Sequence, residues 1–225
     1  KPVILVNMTG SAMDLNLAEA RCAAIIQAWY PGSRGGQAIA ELLFGEYSPA
    51  GRLPVTFYRT IEELPEFTDY RMTGRTYRYM KNDALYPFGY GLSYNTYRYD
   101  AVEFPYWQDG KLHIRVRVTN QGTMEGDEVV QLYTIHKSRV LESPNCSLRG
   151  FRRITLEPGA SQEVEFILGQ EDLMMVNNDG KKVLESGEYE ITVGRSTRLQ
   201  DRGIDRTEGS SFYILASIRY RRNHP

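Results

Sequence analysis

The stretch LHIRVRV at residues 112–118 decides the fold of the second half of the chain. Apolar residues occupy every second position, and polar or charged residues occupy the positions between them. Side chains alternate between the two faces of a β-strand, so this period of two predicts a strand with one face in a core and one in water. We therefore expect a sheet that is covered on one side.

Runs of similar character recur along the rest of the chain, at residues 128–135, 164–168, 189–193 and 212–218. Turn-forming residues separate these runs, at 120–122, 157–159, 177–180 and 186–187. No pattern of helix length lies between them. Short strands at this spacing predict an all-β sandwich of immunoglobulin-like architecture over residues 98–225.

The first 97 residues follow a different pattern, in which strand and helix signals alternate. Strands are predicted at 3–6, 25–29 and 53–57, and helices at 17–24 and 34–44. Ser33 is placed to cap the start of the second helix, and Gly45 is placed to end it. This alternation predicts an α/β unit with parallel strands.

Residues 58–97 lose all periodicity and hold eight of the 16 tyrosines. Prolines and glycines beside the rings indicate an ordered connector. An aromatic surface can stack on sugar rings, which is one interpretation of this segment. We favour the other, that the aromatic residues pack the joint between the two parts of the chain; they are Tyr86, Phe88, Tyr90, Tyr94 and Tyr97.

Composition narrows the possible classes of protein. With 41% hydrophobic residues, 24% charged residues and a formal net charge of -1, the chain is predicted to be globular, with no nucleic-acid partner. The basic stretch at 219–222 is interpreted as a solvated tail. No apolar run is long enough to span a membrane, so no membrane partner is expected. Because the chain starts with Lys1, we expect it to have been cut from a longer polypeptide.

Motifs for chemistry are few. Cys22, Cys146 and the three histidines share no ligand spacing, so neither a disulfide framework nor a metal site is expected. The glycines at 32, 35 and 36 match no nucleotide-binding pattern and predict a tight turn, and no cofactor is expected. Ser33 does not lie in a nucleophile elbow. The 28 carboxylates neither support nor exclude acid/base catalysis.

Longer stretches carry a specific resemblance. AWYPGSRGGQAIAELLFGEYSPAGRLPVTFY at 28–58 and LYPFGYGLSYNTYRY at 85–99 resemble the C-terminal part of glycoside hydrolase family 3. VTNQGTMEGDEVVQLY at 118–133, LRGFRRITLEPGASQEVEF at 148–166 and SGEYEITVG at 186–194 are similar to that family's fibronectin type III-like domain. The resemblance implies part of an α/β sandwich domain at 1–97, followed by an all-β fibronectin type III-like sandwich at 98–225.

The resemblance also implies an activity, retaining exo-hydrolysis of β-linked oligosaccharides by a β-glucosidase or β-xylosidase. In the family an aspartate nucleophile lies on an N-terminal barrel, and the acid/base glutamate precedes the strand that residues 3–6 resemble. No residue of this chain therefore inherits a catalytic role, and the fragment is expected to be inactive without the missing barrel domain. Export to the periplasm or the medium is implied by the resemblance alone.

Arg75 and Tyr77 are the candidate substrate-binding residues. They stand in RTYRY at 75–79, which looks more like β-xylosidases than like most β-glucosidases. Packing beneath the connector explains the two residues equally well. The alternative function, from another class, is a non-catalytic carbohydrate-binding or structural β-sandwich module.

Overall fold

A computed structural model describes residues 1–137, 143–177, 179–196 and 214–220 of the chain. Over these residues the protein is mostly β-strand with a few short helices. The first part contains β1 (Ile4–Asn7), α1 (Asn16–Arg21), β2 (Ala24–Gln27) and α2 (Gly35–Leu43). Strands β1 and β2 pair in parallel, as the alternation of strand and helix signals predicted.

The two helices differ from the prediction at their ends. Helix α1 stops at Arg21 because Cys22 is already extended, with φ -88° and ψ 143°. The prediction that Ser33 caps α2 is wrong, since Arg34 stands at the cap position. A turn in which the Gly35 amide donates to the Gly32 carbonyl, at 3.2 Å, delays the start of the helix by one residue. Gly45 follows α2 with φ +77°, a conformation that glycine adopts without strain.

The prediction of a regular strand at residues 53–57 is wrong. Only Phe57 forms a β-bridge, with Tyr86 of the connector. Pro54 has no amide proton to donate, and Pro87 interrupts the opposite segment in the same way. The ladder is therefore broken into separate hydrogen bonds.

The connector contains two short helical segments, the 3-10 turn η1 (Ile61–Glu63) and α3 (Thr76–Tyr79). The second part then provides strands and one short helix: β3 (Tyr97–Ala101), β4 (Tyr106–Gln108), β5 (Lys111–Asn120), β6 (Gly126–His136), β7 (Ser147–Leu156), β8 (Ser161–Leu168), α4 (Gln170–Leu173), β9 (Met175–Val176), β10 (Lys182–Val183), β11 (Gly187–Gly194) and β12 (Ile214–Tyr220). Strand β3 begins at Tyr97, one residue before the predicted second domain; the boundary itself stays a prediction.

The described residues of the second part form two four-stranded sheets and a two-stranded antiparallel ladder of β9 and β10. In one the order is β12-β11-β6-β7; in the other β3 and β4 pair with one edge of β5 while β8 pairs with the opposite edge. Both sheets contribute to a single apolar core. The inward residues of β5 are 0 or 1% exposed, as the LHIRVRV pattern predicted: Leu112, Ile114, Val116 and Val118.

The outward face of β5 carries charge. Arg115 and Arg117 both pair with Glu163 of the neighbouring strand β8. These cross-strand pairs keep that face in water. The interpretation of residues 219–222 as a solvated tail is wrong for Arg219 and Tyr220, which are the last two residues of strand β12 and pair with β11. Residues 221 and 222 lie outside the described residues.

The sequence patterns did not identify β3, β4 or β7. Strand β4 is only three residues long. In β7 the central residues are exposed or half-buried, including an exposed Phe151, so apolar and polar positions do not alternate. A period-two signal requires one face in a core, and this edge strand has little of that.

The first part has a small core of its own. Its buried apolar cluster consists of Leu15, Phe57 and Leu85. Seventeen of the 22 exposed large hydrophobic residues of the described chain fall within residues 1–94, among them Ile4, at 46% exposure, in β1. A parallel sheet is normally covered on both faces. Much apolar surface around β1 and β2 is therefore left open to solvent.

Candidate functional site

The connector folds back on the segment that precedes it. The Leu53 amide donates to the Tyr90 carbonyl at 2.8 Å, and the Phe57 amide donates to that of Tyr86 at 2.9 Å. A further bond joins the Gly89 amide to the Leu53 carbonyl, at 2.7 Å. These bonds hold the connector against the first part of the chain, beside the joint with the sheets.

Arg75 holds the turns of the connector. Its Nη2 donates to the carbonyls of Asp69, at 2.5 Å, and Glu66, at 3.4 Å, and its Nε donates to that of Arg71, at 3.1 Å. Beside it, hydrogen bonds from Arg71 lower the pKa of Asp69 to about 2. The Arg75 guanidinium therefore faces backbone oxygens of its own segment.

Tyr77 lies in the joint between the two parts. Its ring stacks on Phe88, with centroids 4.5 Å apart, and meets the edge of Tyr133 of β6 at 6.4 Å. Its hydroxyl accepts from the Leu148 amide of β7 at 3.4 Å, and its own amide donates to Thr56 Oγ1 at 3.1 Å. Burial raises the pKa of Tyr77.

The structure thus gives Arg75 and Tyr77 separate surroundings and does not bring them together around one ligand-sized space. Arg75 is bonded to the connector backbone, and Tyr77 is packed against the second part. Contact of either residue with substrate stays a prediction.

Packing also accounts for most of the aromatic series. Tyr86 stacks on Tyr90 at 5.5 Å, and Tyr97 is 2% exposed in the core of the second part. Tyr94 is 53% exposed, yet its hydroxyl donates to the Leu42 carbonyl of α2 at 2.7 Å. The interpretation that these rings pack the joint is confirmed for Phe88, which stacks on Tyr77 where that ring meets Tyr133. Tyr86 and Tyr90 instead pack within the first part, Tyr97 packs in the core of the second part, and Tyr94 contacts α2 through its hydroxyl.

A buried ion pair crosses the joint. Arg52 Nη2 donates to Glu128 Oε2 of β6 at 2.8 Å, and the two side chains are 5% and 0% exposed. The other carboxylate oxygen accepts from the Tyr99 hydroxyl at 2.8 Å, and Arg195 Nε lies 3.5 Å from Oε2. Burial, together with the negative charge of Glu128, raises the pKa of Tyr99 well above its usual value. The first part of the chain is therefore tied to both sheets at one point.

Sequence reasoning missed this pair, although a signal was present. Glu128 occupies the same face of its strand as Val130 and Leu132, both fully buried. A carboxylate at an inward position of a strand requires a partner. That partner comes from Arg52, 76 residues away along the chain.

A second polar link lies at a more exposed edge of the joint. Asp127 accepts from Arg153 Nε at 2.7 Å, from Thr155 Oγ1 at 2.6 Å and from the Tyr47 hydroxyl at 3.3 Å. Partial burial raises the pKa of Asp127, but these hydrogen bonds outweigh it, and the pKa lies below its usual value. Tyr47 follows α2, so this link also joins the first part to the sheets.

Close backbone approach explains two glycines of the connector. Gly89 has φ +80°, and a side chain there would lie 2.8 Å from the Tyr133 hydroxyl and against the Gln131 carboxamide. That carboxamide donates to the Gly89 carbonyl at 3.2 Å. A side chain at Gly91 would collide with the Gly51 carbonyl. Both positions are thus packed too tightly for a Cβ atom, Gly89 against β6 of the second part and Gly91 against the first part itself.

Across residues 1–137, 143–177, 179–196 and 214–220, no cluster of three or more histidine, cysteine or carboxylate side chains could hold a metal ion. Cys22 and Cys146 are free thiols. Burial raises the pKa of Cys146 to about 12. Within the same ranges no helix is both long and apolar enough to cross a membrane.

Comparison with known proteins gives two domain matches. Residues 1–94 match the Glycosyl hydrolase family 3 C-terminal domain, and residues 128–197 match the Fibronectin type III-like domain. The two matches stand in the order that the sequence resemblance implied.

Relatives extend the match over most of the chain. A xylan 1,4-β-xylosidase of Xylanibacter ruminicola is 43% identical over 203 residues, which cover 89% of this chain and 23% of that protein. A periplasmic β-glucosidase of Salmonella typhimurium is 38% identical, with 86% and 27% covered. The chain thus spans about a quarter of the length of these curated relatives.

Solved structures give the same result. A β-glucosidase of Erythrobacter marinus is 35% identical and superposes with a TM-score of 0.75, covering 96% of this chain and 28% of that one. A β-glucosidase of Kluyveromyces marxianus in complex with glucose is 30% identical, with a TM-score of 0.77, and 96% and 27% covered. By its domains, their order and its relatives, the chain belongs to glycosyl hydrolase family 3, of which it carries the C-terminal domain and the fibronectin type III-like domain that follows.

Proposed function

We propose that these residues are the C-terminal region of a retaining exo-acting β-glycosidase that hydrolyses β-linked oligosaccharides. The observation that carries the proposal is the pair of family matches in order, together with relatives named β-xylosidase and β-glucosidase. Because the match covers about a quarter of those relatives, the catalytic carboxylates are proposed to belong to the remainder of the enzyme. The isolated chain is then inactive.

The role proposed for the second part is a fibronectin type III-like β-sandwich that supports the first. Its two sheets share one core, and its strand β6 supplies both Glu128 and Tyr133 to the joint. A desolvated ion pair and stacked rings together favour a fixed orientation of the two parts. We propose the boundary between the domains at residues 97 and 98, where the connector enters strand β3.

The open apolar surface of the first part supports the same proposal. Val3, Ile4 and Leu17 are exposed, on or beside β1 and on α1, next to a parallel sheet of two strands. Large contiguous apolar patches on a soluble protein mark surfaces that another part covers. We propose that the remainder of the enzyme covers this one.

The sugar preference is proposed from the relatives. The relative at 43% identity is named a xylan 1,4-β-xylosidase, and we propose a β-xyloside as the preferred substrate. Arg75 and Tyr77 are proposed to act at the mouth of the active site, Arg75 by fixing the turns of the connector and Tyr77 by fixing the joint. A periplasmic or secreted location is proposed from the name of the Salmonella relative.

The test compares the isolated chain with the polypeptide encoded by the complete reading frame that contains it. Turnover of p-nitrophenyl β-D-xyloside and β-D-glucoside is measured for both. We expect no turnover by the chain, and a larger kcat/KM for the xyloside by the longer polypeptide. Hydrolysis by the chain alone would contradict the proposed position of the catalytic groups, and a larger kcat/KM for the glucoside would contradict the sugar preference.

One observation favours a second candidate, a glycan-binding module. Phe67 and Tyr70 of the connector are 90% and 88% exposed, on turns that Arg75 holds in place. Exposed rings on a fixed loop can stack on sugars. Affinity electrophoresis on xylan separates the two candidates: retarded migration that disappears in Phe67→Ala/Tyr70→Ala supports the module, and unchanged migration supports the structural role.

A further inference from the structure

Two arginines at the joint differ from the others near it. Arg78 comes from α3 of the connector, and Arg149 comes from β7. Within the described residues neither guanidinium forms an ion pair with a carboxylate, whereas Arg52 and Arg153 nearby both do. The Nε of Arg78 is buried and has no hydrogen-bond partner there. Burying such a group without a partner is unfavourable. Arg52 Nε is left in the same way, but Arg52 reaches a carboxylate through its Nη2, whereas Arg78 reaches none among the described residues.

A β-bulge directs Arg149 into this position. The register between β6 and β7 shifts by one residue at Leu132/Tyr133, and Arg149 is the extra residue on β7. A bulge of this kind re-aims a side chain that a regular strand would point elsewhere. The placement of Arg149 is therefore a built feature of the sheet.

The two guanidinium groups flank one pair of hydroxyls. Arg149 Nε donates to Thr134 Oγ1 at 2.9 Å, and Arg78 Nη2 lies 3.5 Å from Ser147 Oγ. Thr134 and Ser147 stand directly opposite each other on β6 and β7, and both are buried, at 4% and 7% exposure. Two cations thus approach the same small polar area from two sides.

The described charged groups that act on Arg149 do not balance. Burial and the positive charge of Arg78 both lower the pKa of Arg149, while Asp172 acts in the opposite sense. Asp172 also accepts the Gly169 amide at 2.8 Å. Among these described groups, two guanidinium groups and the Asp172 carboxylate leave a single positive charge, which one monoanion would neutralise.

We propose that Arg78 and Arg149 form a binding site for one carboxylate group, of the kind that an acidic sugar carries. A guanidinium presents two parallel N–H donors that match the two oxygens of a carboxylate. The site lies at the joint, where α3 meets β7. Only the choice of an acidic sugar over other carboxylates rests on the proposed function.

The test is calorimetric titration and thermal unfolding of the chain with sodium glucuronate, sodium acetate, glucose and sodium chloride at matched ionic strength. We expect glucuronate to bind and to raise the midpoint of unfolding, and glucose and chloride to do neither. At ten times the Kd, the ratio of folded to unfolded protein rises about elevenfold. Equal affinity for acetate would overturn the assignment to an acidic sugar, and no effect of either carboxylate would overturn the site.

Variants distinguish binding at this site from a general effect of positive charge on the protein. Arg78→Gln and Arg149→Gln are each expected to weaken glucuronate binding at least about tenfold, the value of one charge-assisted hydrogen bond. The control is Arg152→Gln, on the same strand but exposed, which should leave the Kd unchanged. If either Gln variant fails to fold, Arg78→Lys is used instead, because lysine keeps the positive charge but lacks the two parallel N–H donors of a guanidinium. A loss of glucuronate affinity smaller than tenfold in Arg78→Lys supports the site.

Glu142→Gln tests whether the chain itself supplies the carboxylate, since Glu142 stands next to Ser143 in the sequence. Binding that is absent in the parent chain and present in this variant would overturn the proposal. None of these readouts requires hydrolysis, so they are independent of whether the proposed glycosidase function holds.

Discussion

Replacing Arg52 with methionine should make the two parts of the protein unfold in separate transitions. The substitution keeps an unbranched, apolar side chain in place of the arginine stem and removes the guanidinium that faces Glu128, which is fully buried. Removing one partner of a buried ion pair costs about 3–5 kcal/mol, because the remaining charge is left unpaired. Glu128 would keep the Tyr99 hydroxyl at 2.8 Å and Arg195 at 3.5 Å. We therefore expect the lower end of the range, about 3 kcal/mol.

The assay is urea unfolding followed by tryptophan fluorescence. Trp29 and Trp107 lie on opposite sides of the joint, so variants that keep one tryptophan report each part separately. In the parent chain the two transitions should coincide. In Arg52→Met we expect Trp29 to report unfolding at lower urea than Trp107, and the first thermal midpoint to fall by roughly 6–12 °C.

Two controls complete this experiment. Arg98→Met removes an ion pair of the same chemistry whose side chains are 49% and 43% exposed, and it should cost no more than about 1 kcal/mol. The double variant Arg52→Met/Glu128→Met should recover part of the loss, because no charge is left unpaired. A loss below about 1 kcal/mol in Arg52→Met, equal to that of the exposed control, would refute the role given to the pair.

Three further predictions concern the joint and the thiols. Gly89→Ala should lower the free energy of unfolding by about 1–3 kcal/mol, because a Cβ there meets the Tyr133 hydroxyl at φ +80°; Gly159→Ala, with a similar φ in open space, should lose less in the same urea titration. In the folded chain Ellman's reagent at pH 8 should titrate one thiol, that of Cys22, since burial raises the pKa of Cys146 to about 12; two reactive thiols before unfolding would contradict this. The pKa of Asp127 is lowered in the folded chain, so its carboxylate stabilises the folded state fully at pH values above the usual pKa of 3.8. That stabilisation is lost as the pH falls through the lowered pKa. Asp127→Asn should therefore be less stable than the parent by about 1 kcal/mol at pH 7, with the difference shrinking below pH 4; a constant difference between pH 7 and pH 2 would be the contrary result.

Local sequence patterns predicted the helices and strands that have one face in a core and the other in solvent. Strand β5 alternates over ten residues, and its inward side chains are almost completely buried. Helix α2 was also found at its predicted place, with Gly45 at its end. Edge strand β7 was missed, because its central residues contact little core and its bulge at Arg149 breaks the period of two.

The candidate site was less accessible to sequence reasoning. Arg75 and Tyr77 were singled out as neighbours in one motif, but their side chains serve different contacts. A motif gives spacing along the chain, and the turn between residues 72 and 75 and the positive φ of Thr76 redirect the two side chains. The partners of these residues lie on segments that the motif does not contain.

By itself the sequence determined that a strand-and-helix unit precedes an all-β unit, and which family the chain resembles, because hydrophobic period and turn residues act over a few neighbouring positions. Only the tertiary structure decided which groups meet at the joint. Glu128 pairs with Arg52 across 76 residues, and Arg149 approaches Arg78 only because a bulge turns it there. Such pairings depend on how sheets and connector pack, and the energy of a buried charge depends on that packing, which no local pattern records.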